Sequence, residues 1–262
     1  MTPEERRQRI VSVVQDRERV SVDALAEMLD ASRETIRRDL SELDALGWLR
    51  KHHGGASAVE PALSEALREG PFRERMRDAL PAKRAIARAA ISLFRPGDSL
   101  FIDTGTTTLV FAEELARARD LTVITNSSKI AALAGRGEGN QVFLLGGRYR
   151  EDGGESVGPI AVDQARRFHA MHAVLTIGAL DSAGIMDFDP EEAEIARVMA
   201  EQARDVTVLA DSGKFGRSAL FKVATLEAVT RLVTDAAPPR ETEAALREAG
   251  VKTVLAGSRE AP

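Results

Sequence analysis

One stretch of the chain restricts its folding more than any other: Ala31-Ser32-Arg33-Glu34-Thr35-Ile36-Arg37-Arg38-Asp39-Leu40, followed about ten residues later by Trp48-Leu49-Arg50-Lys51-His52-His53-Gly54-Gly55-Ala56. Ile36, Leu40 and Leu43 fall at i, i+4 and i+7, one apolar stripe of a helix that Ser32 is placed to cap. Arg33, Thr35, Arg37 and Arg38 are then turned away from that stripe. The second piece reads as a strand from Trp48 to His52 that buries Trp48 and Leu49 and turns at Gly54-Gly55, where absent side chains permit a tight reversal.

Two further helices precede this pair. Thr2, Pro3 and Glu5 form a start signal with a capping threonine, a proline at the first helical position and a glutamate that reaches back, and Ile10, Val13 and Val14 continue as an apolar stripe. Ser21 and Asp23 open a second, short helix that carries Val22, Leu25, Met28 and Leu29 and stops near Asp30. So short a connection to the next cap forces a steep crossing. Three helices and a glycine-tipped hairpin predict a winged helix-turn-helix.

The outward face of that third helix has the chemistry of a double-stranded DNA reader. Ser32 and Thr35 suit phosphate oxygens or base edges at a positive helix end, Arg33 and Arg37 can present guanidinium forks to guanine or phosphate, and Arg38 is read as a backbone contact. Arg50, Lys51, His52 and His53 extend the patch along the wing, and Gly54 and Gly55 let its tip approach a groove. The formal net charge of −5 excludes affinity for polyanions by bulk charge, so any DNA contact has to be local. The competing arrangement would pair these arginines with Glu34, Asp39 and Glu42 on a solvated face.

At 262 residues the chain exceeds the usual single-domain range of about 100–200 residues and predicts two domains. It has no cysteine and four histidines, which leaves no disulfide, thiolate metal site or cysteine nucleophile and little for a histidine metal site. No run approaches the roughly 18 apolar residues of a membrane span, and the first residues lack a signal-peptide core. The expectation is a cytoplasmic protein without cofactor, metal or membrane partner.

Residues 56–81 are rich in Glu, Arg, Ala and Pro and read as a linker with some helix, with Phe72 touching the second domain. From Lys83 short apolar runs alternate with helical stretches: Ser99 to Asp103, Leu121 to Thr125, Gln141 to Leu145, Ala173 to Ile177, Val206 to Ala210, Leu232 to Thr234 and Lys252 to Leu255. Such alternation predicts an α/β domain with a mostly parallel sheet covered on both faces. The assigned domains are 1–57, winged helix-turn-helix; 58–82, linker; and 83–258, a sensor domain.

Ligands of such sheets bind beyond the carboxyl ends of the strands. There the chain is small and polar: Asp103, Gly105, Thr106 and Thr107 after the first strand, Thr125, Asn126 and Ser127 at the second, Gly146, Gly147 and Arg148 after the third, and Lys214 in Asp211-Ser212-Gly213-Lys214-Phe215-Gly216 after the fifth. Amides and hydroxyls at helix starts, with one lysine, predict a cradle for a small phosphorylated metabolite. The spacings match neither a P-loop nor a dinucleotide fingerprint, so neither ATP nor NAD is expected. Asp152-Gly153-Gly154 reads as a tight turn or a flap. Asp187, Asp189, Glu191 and Glu192 read as acids favouring a helix start at Pro190 rather than metal ligands.

These motifs resemble the DeoR family of bacterial transcriptional regulators over nearly the whole chain. The resemblance rests on Thr35-Ile36-Arg37-Arg38-Asp39-Leu40 and His53-Gly54-Gly55-Ala56, then Phe101-Ile102-Asp103-Thr104-Gly105-Thr106-Thr107, Thr125-Asn126, Leu145-Gly146-Gly147 and the Asp211 to Gly216 run. It implies a repressor of carbohydrate or polyol metabolism whose sensor is similar in fold to ribose-5-phosphate isomerase. Within the family, Asp152-Gly153-Gly154, Lys214-Phe215-Gly216-Arg217 and Thr234-Asp235-Ala236-Ala237-Pro238-Pro239 are most similar to the glycerol-3-phosphate regulon repressor type. Met171, Thr176, Ala179 and Ala82 depart from the family pattern beside the expected pocket. The main expectation is a DNA-bound homodimer or homotetramer released by a phosphorylated metabolite. The competing one is a sugar-phosphate isomerase using Asp103, Asp181 and Lys214.

Overall fold

The computed structural model describes residues 2–17, 19–45, 48–57 and 70–257, and divides into two compact units, 1–69 and 70–262. The core of the expected linker, 58–69, lies outside the described residues.

In the first unit the three start signals act as read. The Glu5 amide donates to Thr2 Oγ1 at 3.2 Å and the Thr2 amide to Glu5 Oε2 at 2.7 Å, opening α1 (Pro3–Arg17). Ser21 Oγ accepts from the Ala24 amide at 3.1 Å at the start of α2 (Val22–Met28), and Ser32 Oγ accepts from the Thr35 amide at 3.1 Å at the start of α3 (Arg33–Ala45). Ile10, Val14, Leu25, Ile36, Leu40, Leu43 and Leu49 close a common core.

The wing differs from the sequence reading in two ways. Its strands are β2 (Arg50–His52) and β3 (Gly55–Ser57), because the Trp48 amide is still held by the Leu43 carbonyl at the helix end. A third strand, β1 (Arg19–Ser21), pairs antiparallel with β3. Three residues are too few to show a period, so nothing in the sequence announces it. A Cβ at Gly55 would lie 2.3 Å from the Val20 carbonyl oxygen, so glycine is needed there for β1 to pass.

The second unit begins with a short helix, α4 (Phe72–Arg75), and α5 (Leu80–Ile91). Its seven-stranded sheet is formed by β4 (Ser99–Ile102), β5 (Thr122–Thr125), β6 (Gln141–Leu144), β9 (Ala170–Leu175), β12 (Ala203–Leu209), β14 (Arg231–Thr234) and β15 (Lys252–Leu255). The order is β15-β14-β12-β9-β4-β5-β6 and every pairing is parallel. Leu100 and Ile102 pack with α5, α6 (Thr106–Leu115) and α7 (Ser128–Ala134); Phe101 and Ile124 pack on the opposite face with α8 (Pro159–Ala165), α9 (Pro190–Glu201) and α10 (Arg240–Glu248). Alternate residues of one strand thus feed two cores.

The chain runs outward from β4 to β6, then returns to β9 on the other side of β4, which places a topological switch point between β4 and β9. β9 and β12 each begin three residues before the apolar runs do. Their starts are paired to each other, and His172 sits between Asp98 and Asp205 at 3.5 and 3.6 Å, so polar residues occupy strand positions.

Two small antiparallel sheets were not read from the sequence. A hairpin of β7 (Arg148–Arg150) and β8 (Glu155–Val157) turns through Asp152-Gly153-Gly154, and β10 (Ala179–Asp181), β11 (Gly184–Asp187) and β13 (Phe221–Ala224) form a three-stranded sheet. Among the described residues, no helix is long and apolar enough to cross a membrane.

Candidate DNA-facing surface and metabolite pocket

On the first unit, two of the acids that could neutralise the α3 arginines, Asp39 and Glu42, are engaged by α1. Arg6 Nε donates to Asp39 Oδ2 at 2.6 Å, and Arg7 donates to Glu42. Asp39 holds the Arg6 guanidinium above its ordinary value chiefly through the hydrogen bond between them. Arg37 and Arg38 are exposed and have no carboxylate partner among the described residues. Arg33 is exposed as well, with Nε 2.7 Å from Asp23 Oδ1. Ser32 and Thr35 share a hydroxyl contact of 2.8 Å at the helix start. On the wing, Arg50, Lys51, His53 and Gly54 are exposed while Gly55 is buried against β1. Lys51 Nζ donates to Ser41 Oγ at 2.6 Å, and His52 Nε2 lies 2.6 Å from Ser57 Oγ.

On the second unit, a cavity of about 240 Å³ opens at the carboxyl end of β4, lined by Phe72, Arg75, Thr104, Gly105, Arg150, Asp152, Gly153, Glu155, Asp189 and Glu192. Of the residues nominated as ligand contacts, Gly105 borders it, at the N-terminus of α6. The other nominated residues do not line it. Asp103 is buried, and both its carboxylate oxygens accept from the Thr176 amide at 3.0 Å. Burial pushes its carboxyl well above the ordinary range, Asp187 and Glu155 adding to the rise. Thr125 Oγ1 accepts from the Ser127 amide, Ser127 Oγ caps α7, and Asn126 joins Thr104 Oγ1 to the Ser156 carbonyl.

Thr106 and Thr107 are buried in the first turn of α6. The Gly146 amide donates to Gln164 Oε1 at 2.8 Å, and Gly147 has φ +157, with no room for a Cβ beside the Val157 carbonyl. Arg148 is paired with Glu191. Lys214 ends a 3-10 turn, Ser212–Lys214, that Asp211 caps by accepting from the Gly213 amide.

Residues the sequence reading passed over build the opposite wall. Arg150 Nε and Nη2 donate to Glu155 Oε1 at 2.9 and 2.6 Å, Nη1 to Asp189 Oδ2 at 2.7 Å and Nη2 to Glu192 Oε1 at 2.5 Å. Burial alone would lower the Arg150 value; these carboxylates carry it above the ordinary one. Glu192 is held well above the carboxylate range, first by burial and then by Asp187, Glu155 and Asp189. Asp189 does cap α9 through the Glu191 and Glu192 amides, as acids before Pro190 should, but its second oxygen serves Arg150.

Phe72 and Arg75 come from α4. The Phe72 amide donates to Asp152 Oδ2 at 3.1 Å, and Lys129 Nζ lies 4.6 Å from the Phe72 ring centre while donating to the Asp152 carbonyl. Behind Arg75, the buried Lys83 donates to the Arg75 carbonyl; burial lowers its ammonium value, opposed by Asp211 and reinforced by Lys214. Phe72, the Asp152-Gly153-Gly154 turn and the acids Asp189 and Glu192 were read from the sequence for other roles, whereas Arg150 and Glu155 flank the glycine turn in a way indistinguishable from a surface hairpin.

Residues 6–62 match the model of the DeoR-like helix-turn-helix domain and residues 79–236 that of the DeoR C terminal sensor domain. The chain is 32% identical over 240 residues to the glycerol-3-phosphate regulon repressor of Escherichia coli strain K12, covering 91% of this chain and 93% of that protein. It is 34% identical to the HTH-type transcriptional regulator GlpR of Haloferax volcanii, with 97% and 98% covered, and 30% identical to the HTH-type transcriptional repressor CsqR of Escherichia coli, with 97% and 96% covered.

Among solved structures it is similar to ribose 5-phosphate isomerase A of Methanocaldococcus jannaschii, with a TM-score of 0.38, 16% identity and 53% of this chain matched to 55% of that one. It is also similar to eIF2B beta of Chaetomium thermophilum, with a TM-score of 0.45, 18% identity and 65% matched to 53%, so each match spans about half of the solved chain. The curated relatives are named as transcriptional regulators, not enzymes. With both halves matched in order and relatives aligned along nearly its full length, the chain belongs to the DeoR family of helix-turn-helix transcriptional regulators.

Proposed function

We propose that this protein is an operator-binding repressor of carbohydrate or polyol metabolism, acting in the cytoplasm and released from DNA by a phosphorylated sugar or polyol such as glycerol 3-phosphate. The observation that carries this reading is the outward cationic face of α3 on a chain whose second unit has a cavity at the end of β4; there the positive N-terminus of α6 at Gly105 and Arg75 could hold a phosphate, while Asp152, Glu155, Asp189 and Glu192 face donors. The name of the Escherichia coli relative agrees with that choice. On the first unit, α3 presents Arg37, Arg38 and Arg33 outward, with Ser32 and Thr35 at its start and Arg50, Lys51 and His53 on the wing.

Two wings reading two half-sites require two copies of the chain. The sensor unit offers a surface for self-association: Phe143, Leu144, Tyr149 and Ile160 are 44, 51, 58 and 61% exposed, and β6 is the sheet's edge strand. Ligand in the cavity would be felt by Phe72 and Arg75, which begin the sensor unit directly after the 58–69 segment. A coupling of about 1–3 kcal/mol between the two sites would lower operator affinity roughly 5- to 150-fold. Gel-shift titration of operator DNA with phosphorylated three- to six-carbon compounds tests this; indifference to all of them refutes release by a metabolite. The isomerase reading lacks a base: Asp103 is held by the Thr176 amide, and Asp181 accepts from the Ala183 amide and Ser218.

A further inference from the structure

We propose that Glu155 sets the ligand specificity of this pocket: one of its carboxylate oxygens accepts a hydrogen bond from a hydroxyl or ammonium donor on the carbon part of the metabolite. The proposal rests on the reading of the cavity as a phosphate-ester site, and it adds which esters are accepted.

Glu155 is 2% exposed and lines the cavity. Its Oε1 takes two donors from Arg150, whereas Oε2 is buried and has no hydrogen-bond partner among the described residues. The four Arg150 hydrogen bonds go to Glu155 Oε1, Asp189 Oδ2 and Glu192 Oε1, and none goes to Glu155 Oε2. A carboxylate oxygen withdrawn from water is unfavourable unless a donor reaches it, and a metabolite in the cavity that Glu155 lines can supply one.

The oxygen is also held in place. The Ser128 amide and hydroxyl both bond the Gly154 carbonyl and the Ser156 amide bonds the Asn126 carbonyl, so the first residues of β8 are fastened to the start of α7 on both sides of Glu155. Gly153 keeps the approach open, since a Cβ there would stand 3.2 Å from Glu155 Oε1 and 3.3 Å from Thr104 Cγ2. The cavity therefore has an amide-rich end at Gly105 for an anion and an acceptor-only end at Glu155 for donors. An ester with an aliphatic tail satisfies the first and leaves the second unpaired, and sites of this kind discriminate strongly against analogues that lack the donor.

The test is calorimetric titration of the full-length protein with inorganic phosphate, ethyl phosphate, glycerol 3-phosphate and glucosamine 6-phosphate, repeated on Glu155→Gln. Glycerol 3-phosphate or glucosamine 6-phosphate, or both, should bind at least tenfold more tightly than ethyl phosphate. In Glu155→Gln the side-chain oxygen stays with Arg150 and an NH2 replaces Oε2, so that preference should shrink to within about twofold. Equal affinity of the wild type for ethyl and glycerol phosphates, or a preference that survives Glu155→Gln, would mean that a cavity water serves Oε2, and the inference falls while the phosphate site stands. Failure of all four compounds to bind removes the phosphate site itself.

Discussion

Asp103 and Thr176 are 73 residues apart in sequence, yet both carboxylate oxygens of Asp103 sit 3.0 Å from the Thr176 amide nitrogen. Asp103 is the first residue after β4 and Thr176 the first after β9, so the bond latches the two strands that flank the switch point. The Gly105 position belongs to the same junction, where an added Cβ would stand 1.9 Å from Thr176 Cγ2.

Because burial raises the Asp103 value, the ionised form opposes folding: the stability associated with this group is fully present below the ordinary carboxylate range and is lost as pH rises through the raised value. Asp103→Asn keeps an acceptor for the Thr176 amide without the charge. It should therefore melt at or above the wild-type temperature at neutral pH, with the gap closing on acidification, whereas Asp103→Ala should lose about 1–3 kcal/mol by leaving the amide unpaired. Thermal melts from the ordinary carboxylate range up through neutral pH check both.

Arg37→Ala should weaken operator binding by about 1–3 kcal/mol and relax sequence preference, and Arg38→Ala should weaken all sequences alike and reduce the salt slope by about one. Neither should alter binding of a phosphorylated metabolite, which is proposed for the other unit. Gel shifts at several salt concentrations distinguish the two roles.

Arg150→Met leaves Glu155, Asp189 and Glu192 facing one another without their shared cation. Removing one partner of such a network is expected to destabilise the sensor unit by about 3 kcal/mol, and adding Glu192→Gln should recover part of it. Urea unfolding of the single and double variants measures the recovery; no recovery would mean that the carboxylates do not repel through this site.

Phe143→Glu combined with Leu144→Glu places charge on the exposed edge of β6. Sedimentation should show the wild type as a dimer or larger and the double variant shifted to monomer with unchanged melting temperature. A variant that remains associated locates the self-contact elsewhere.

Much of the local architecture was legible because it depends on neighbours in sequence. Thr2 with Glu5, Ser21 and Ser32 cap helices through groups three residues away, and Ile36, Leu40 and Leu43 share a helical stripe however the rest of the chain folds. β15 spans the same four residues as its run, and β4 and β5 each differ from theirs by one residue, the last two because strands covered on both faces leave continuous apolar signatures.

The tertiary structure decided what these signals leave open. Strands of three residues such as β1, β7 and β8 show no period of their own and exist because a partner strand satisfies their backbone. A polar residue at a strand end serves a ligand or a neighbouring amide equally well on paper; strand order brought Thr176 to Asp103 and sent Arg150, Glu155 and Glu192 to the cavity wall. Sequence alone therefore determined the helices, their caps, the parallel sheet and the outward basic face of α3, all governed by short-range periodicity. Which charged groups meet, and which one keeps a buried oxygen without a donor, was decided by contacts between residues up to 73 positions apart, which no local pattern encodes.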